Sequence, residues 1–249
     1  MRNLLKGDIR RILRKKIFAI FFVLMLLCDI GVCVFTYYKR LHTGFAFVHD
    51  QVGVIPAIFF VFTLVVFLGV YADEFKSMTM IGVIGRGLSR EKMVLAKFID
   101  SVLLLCLQTG GFALVLFLGI RLSPLQVTSD EMRFLFIKIL VETFLIIGYM
   151  TMAAFMLYLT NNVAVSVFSL MGLYFLVNFG LQIANMSPLL RSLHLDRYYL
   201  AGLGGSAFTD LVIGNTSAAG MTLLIGGVIY IGGALLVTTL YFTKKELDF

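Results

Sequence analysis

The chain has 249 residues, of which 60% are hydrophobic and only 14% charged. An ordinary soluble domain carries roughly 25% charged residues, so this composition excludes one and makes lipid the expected surroundings for most of the chain. The formal charge of +7 does not point to nucleic acid. Its lysines and arginines gather at the N-terminus and in one loop, beside apolar runs, where anchoring to a membrane surface accounts for them.

Residues 1–16 place Leu5, Ile9, Ile12 and Leu13 at helical spacing, with Lys6, Arg10, Arg11 and Arg14 on the other face. That pattern predicts an amphipathic helix lying in the membrane interface; the competing reading is a basic segment without defined structure. Hydrocarbon about 30 Å thick needs about 20 helical residues to cross it. Six runs qualify: Ile17–Tyr38, Val54–Ala72, Val94–Ile120, Phe134–Leu159, Val163–Asn185 and Met221–Phe242. The first is too long for a signal-peptide core and has no small-residue cleavage site after it. The Gly110-Gly111 pair leaves the third span free to bend. No soluble insertion or repeat divides the chain, so the expected fold is an all-α membrane protein forming one transmembrane domain over 1–249.

Orientation follows from the basic residues. With the N-terminus inside, the inner segments hold 13 of the 21 lysines and arginines and the outer loops 6. Both termini and the loop 73–93 are therefore expected in the cytoplasm. The segment 187–220 mixes apolar pieces with five glycines and few charges. It is expected outside as short helices packed against or partly into the bilayer, since irregular backbone at membrane depth must be covered by protein. An ordinary external loop is the alternative.

No Gly-Lys-Ser or Gly-Lys-Thr occurs, and Gly85-Arg86-Gly87 lacks the rest of a dinucleotide fingerprint. His42, His49 and Asp50 share an external loop but have no cysteine partner, so no metal site is expected. The three cysteines, Cys28, Cys33 and Cys106, all lie in apolar runs and are expected as free thiols. No histidine lies in any span to serve as a base, which argues against catalysis. Polar groups within the spans are more informative, because a carboxylate there costs roughly 2.5–3.5 kcal/mol unless it meets a partner or water. Asp29, Glu142, Asn178 and Gln182 all fall toward the outer ends of their spans and mark a possible substrate pathway. The plainer reading is local pairing, with Glu142 satisfied by Lys138 one turn before it and the amides of Asn178, Gln182 and Asn185 bridging helices. Asp100, one turn after Lys97, reads as a structural ion pair.

The stretch 73–92 carries a resemblance. Glu74-Phe75-Lys76-Ser77-x-Thr79, then Arg86-Gly87-Leu88-Ser89-Arg90-x-Lys92 leading into Ala96-Lys97, resembles the cytoplasmic loop of ABC type-2 exporter permeases. Members of that family characteristically read E-F-x-x-G-T, then a hydrophobic run, a small residue, Ser-Arg and a Lys entering the third span. The likeness extends to length, six spans, a basic amphipathic N-terminal helix, a long external segment before the last span, and a Lys-Lys-acid tail. One departure is Met78, where the family has glycine; the second span is expected to run on and the coupling helix to start nearer Gly82. The resemblance implies a half-transporter of the bacterial cell membrane. It would pair with a second permease subunit, identical or different, and with cytoplasmic ATPase subunits that bind ATP and Mg, this chain itself holding no cofactor. The loop would form a coupling helix seated on the ATPase. Glu74, Phe75, Lys76, Arg86, Leu88, Ser89, Arg90 and Lys92 would make that contact, the charges by complementarity and Phe75 and Leu88 as apolar anchors. Spans rich in Phe and Met suit an amphipathic peptide or other hydrophobic cargo. A membrane sensor or assembly subunit that transports nothing is the alternative, and an intramembrane enzyme comes third.

Overall fold

The computed structural model describes residues 2–38, 44–72, 75, 84–85, 87–122, 126–186 and 195–244. Among these the chain is helical throughout, with no strand. Helix α1 (Arg2–Leu13) precedes α2 (Lys16–Tyr38). Three long helices follow: α3 (Gly44–Ala72), α4 (Arg90–Leu122) and α5 (Ser129–Thr160). Helix α6 covers 163–186 and is interrupted by a π-helical turn at Gly172–Leu176. Two shorter helices, α7 (Leu195–Tyr198) and α8 (Leu200–Ile213), lead to α9 (Thr216–Lys244).

Helices α3, α4, α5, the first 19 residues of α6 and α9 are each long and apolar enough to cross a membrane. The chain is thus a multi-pass helical membrane protein. The remaining expected span, Ile17–Tyr38, coincides with α2, whose side chains are described only in part. Below, the end of the bundle from which α3 leaves and α4 begins is the loop end; the opposite end is the far end.

The second span differs from expectation. Val54 was the expected start, with His49 and Asp50 in a loop, yet both lie in helix because α3 begins at Gly44. The start is fixed by tertiary contact. A Cβ on Gly44 would lie 2.3 Å from the Gln126 carbonyl oxygen and 2.8 Å from Glu131 Oε2, so only glycine lets α3 begin against the start of α5. Helix α4 also runs straight through Gly110-Gly111 as one 33-residue α-helix. Gly111 serves packing instead of bending: a Cβ there would meet Phe22 of α2 at 2.9 Å.

Helix α5 is central, with 61% of its apolar window buried against 11% for α6 and for α9. Its start is a capping box: Thr128 N–H donates to Glu131 Oε2 at 2.7 Å and Glu131 N–H to Thr128 Oγ1 at 3.3 Å. Its end is Asn161, in the left-handed region at φ 53°, and Asn162 then caps α6 by accepting from the Ala164 and Val165 N–H groups. Two asparagines thereby reverse the chain. The core between α3 and α4 is aromatic, with Phe59 and Phe112 edge to face at 5.4 Å and both fully buried.

Helix α8 lies antiparallel along α5. Leu200 covers Gly148 and Gly204 faces Leu145, each approach so close that a Cβ would sit under 3 Å from the leucine tip. Phe208 meets Phe134 at 4.9 Å, and Arg133 Nη2 reaches the Leu211 carbonyl at 3.5 Å. At 1.5 Å per residue, α8 therefore starts roughly 28 Å below the far end of α5, which begins at Ser129. The apolar pieces 200–203 and 208–213 form one helix with its glycines inside, because Gly204 is needed for the close approach.

Candidate coupling site

Of the expected coupling residues, Glu74, Lys76 and Arg86 lie outside the described residues, as do Met78 and Gly82. Those described are drawn onto the bundle. Phe75 packs edge to face on Tyr158 of α5 at 5.2 Å, and Tyr158 in turn stacks on Phe242 of α9 at 4.9 Å and Tyr71 of α3 at 6.4 Å. Leu88 is half-buried against the same core. Gly87 adopts φ +93°, which favours glycine, and its N–H donates to the Ile84 carbonyl at 2.9 Å. Exposed Ser89 precedes α4, and its carbonyl accepts the Met93 N–H at 3.1 Å.

Arg90 is the informative departure. Read from sequence as a charge for a partner surface, its Nη1 instead donates to the Phe242 and Thr243 carbonyls at 3.1 and 3.2 Å, and the guanidinium lies 5.9 Å over the Phe242 ring. It caps carbonyls at the C-terminal end of α9, where the helix dipole favours a cation. Lys92, two residues on, is exposed.

Helix α1 braces this end. Lys97 is 2% exposed, and its Nζ lies 2.5 Å from Asp8 Oδ2 of α1; Arg11 approaches the same carboxylate at 3.6 Å. Lys15 Nζ donates to the Gly69 carbonyl at 3.0 Å, in the π-helical turn Leu68–Ala72 that ends α3. Fully buried Ile12 would touch a Cβ on Gly69 at 3.6 Å. The brace joins α1 to both helices that flank the loop. It was not read from sequence, although the signal exists: Asp8, Ile12 and Lys15 stand at i, i+4 and i+7, one face with an acid and a lysine on either side of an apolar residue.

Toward the far end, Lys138 Nζ lies 2.5 Å from Glu142 Oε1, the pairing its spacing predicts, and 5.6 Å over the Phe208 ring. Asn178 Nδ2 donates to the Tyr174 carbonyl at 2.5 Å and to Tyr149 Oη at 3.4 Å. The side chains of Asp29 and Gln182 lie outside the described residues. Sequence reading passed over the tyrosines that organise this region. Tyr149 sits between Tyr174 at 5.3 Å and Tyr199 at 6.1 Å, and Tyr199 faces Tyr230 at 6.4 Å. The Tyr174 hydroxyl donates to the Pro56 carbonyl at 2.9 Å, that of Tyr230 to the Tyr198 carbonyl at 2.7 Å, and that of Tyr199 to the Leu173 carbonyl. Leu173 lies in the π-helical turn of α6, where the ladder shifts to i→i−5, as in the Val177 N–H bond to the Gly172 carbonyl.

Cys28 and Cys106 are free thiols, and Cys33 lies outside the described side chains. Among the described residues no three His, Cys, Asp or Glu side chains gather as a metal site. No protein-family model matches the chain and no curated protein matches it significantly.

Proposed function

We propose that this chain is the membrane-spanning permease subunit of an ATP-driven exporter of the ABC type-2 class. In this reading α2 is the sixth span, and both termini and the loop between α3 and α4 are cytoplasmic. The subunit pairs with a second permease chain and with ATPase chains that bind ATP and Mg, and carries an amphipathic peptide or other hydrophobic compound outward across the bacterial cell membrane.

The observation that carries the reading is the junction at the two ends of the loop. Phe75 and Arg90, near its start and its end, are tied through Tyr158 and Phe242 to α5 and α9, while α1 ties α3 to α4 through Lys15 and Lys97. A force on the loop is thereby passed to several spans together, which a coupling element requires and a slack connector does not. Lys92, exposed beside this junction, is placed to serve recognition.

The test is co-purification of the full chain with its ATPase, followed by ATPase and transport assays in nanodiscs. Charge reversal at Glu74, Arg86 and Lys92 is expected to abolish both co-purification and cargo-stimulated hydrolysis, with the fold unchanged. Retention of both by the reversed variant would overturn the proposal. Arg90 is left out because its loss would disturb the bundle.

A further inference from the structure

A cleft of about 470 Å³ opens at the far end, away from the loop junction and the tyrosine cluster. Its walls come from the first turns of α3 (Phe45, Val48, Val52), from α5 (Phe134, Ile137) and from Val212 at the end of α8. The volume lies in the range of ligand sites, and nearly all of the interior is apolar. The charged and polar groups stand together at the mouth: His49 on α3, and Asp130, Glu131 and Arg133 within the first turns of α5.

We infer that this cleft holds one phospholipid whose headgroup carries both a phosphate and a primary ammonium. An apolar slot with polar groups at one end fits an acyl chain with its head at the interface. The mouth then selects the head, because it offers both signs within one helical turn of each other. Arg133 and His49 supply donors for the phosphate; Asp130 and Glu131 supply acceptors for ammonium N–H groups. A purely anionic head would meet two carboxylates, and a purely cationic amphiphile would meet the guanidinium. A quaternary ammonium has no N–H to give. Phe45, in the cleft wall and 71% exposed, adds apolar surface that an acyl chain would cover. The inference does not rest on the transport reading and holds for any multi-pass protein built this way.

Native mass spectrometry of the full chain, released from nanodiscs containing equal parts of palmitoyl-oleoyl phosphatidylethanolamine, phosphatidylcholine and phosphatidylglycerol, tests it. The phosphatidylethanolamine adduct is expected to outlast the other two. The double substitution D130N/E131Q should reduce that preference about tenfold, since hydrogen bonds to charged groups contribute roughly 1.5–3 kcal/mol. Glutamine still closes the capping box with Thr128, so the helix start survives. R133Q should weaken retention of phosphatidylethanolamine and phosphatidylglycerol alike, and V52F, which fills the slot, should weaken all three. Equal retention of the three lipids by the unsubstituted chain, an ethanolamine preference untouched by D130N/E131Q, or retention of all three untouched by V52F would overturn the inference.

Discussion

The loop end of the bundle and its interior both contain helix carbonyls that accept from side chains, and the donors differ in chemistry. At the loop end the carbonyls are those of Gly69 in a π-helical turn and of Phe242 and Thr243 near a helix terminus, and deeper in the bundle that of Leu173 in another π-helical turn. At the loop end the donors are cations, Lys15 and Arg90, and the α1 brace is an ion pair, Asp8 with Lys97. Deeper, the donors are neutral, the hydroxyls of Tyr174, Tyr199 and Tyr230 and the amide of Asn178. The reason is solvation. A cation near a helix end can reach the interface through its aliphatic stem, whereas at depth an unpaired charge costs several kcal/mol and a hydroxyl far less. Where charge does occur further in, as at Glu142, it is matched at once by Lys138.

If this division is correct, the largest effect comes from breaking the brace. Asp8→Asn takes the Asp8 carboxylate away from the Lys97 ammonium, whose side chain is 3% exposed. It should lower stability by roughly 3 kcal/mol, measured as unfolding in mixed detergent micelles. Tyr199→Phe, at depth, should cost about 1 kcal/mol by the same assay, the usual scale for an interhelical hydrogen bond in a membrane protein. The smallest effect is expected for Arg90→Lys, about 0.5 kcal/mol. The positive charge near the end of α9 is kept, but the planar group over Phe242 and its reach to two carbonyls are lost. A Tyr199→Phe loss as large as the Asp8→Asn loss would end the comparison.

Much of the architecture was legible because a helix in lipid must be long and apolar, and such runs stand out in sequence. The break between the runs ending at Leu159 and starting at Val163 was equally plain, and the structure builds it from Asn161 in the left-handed region and Asn162 as cap of the next helix. The site was legible only in part. Phe75 and Leu88 were marked as apolar anchors, yet they pack against this chain's own core, and Arg90 was marked by its charge, which fits a partner surface as well as a helix terminus. What it touches lies about 150 residues away, and no local pattern carries that distance.

The sequence by itself determined that this is a helical membrane protein, where most of its long helices run, and that Lys138 pairs with Glu142, for these depend on hydropathy and on spacing within one helix. Only the tertiary structure decided that α3 starts at Gly44, that Gly111 and Gly204 are gaps for Phe22 and Leu145 instead of hinges, and that Asp8, Lys15 and Arg90 bind distant groups. Each of these depends on which backbone approaches which, and a one-dimensional pattern records the presence of a glycine or a cation without recording what lies opposite.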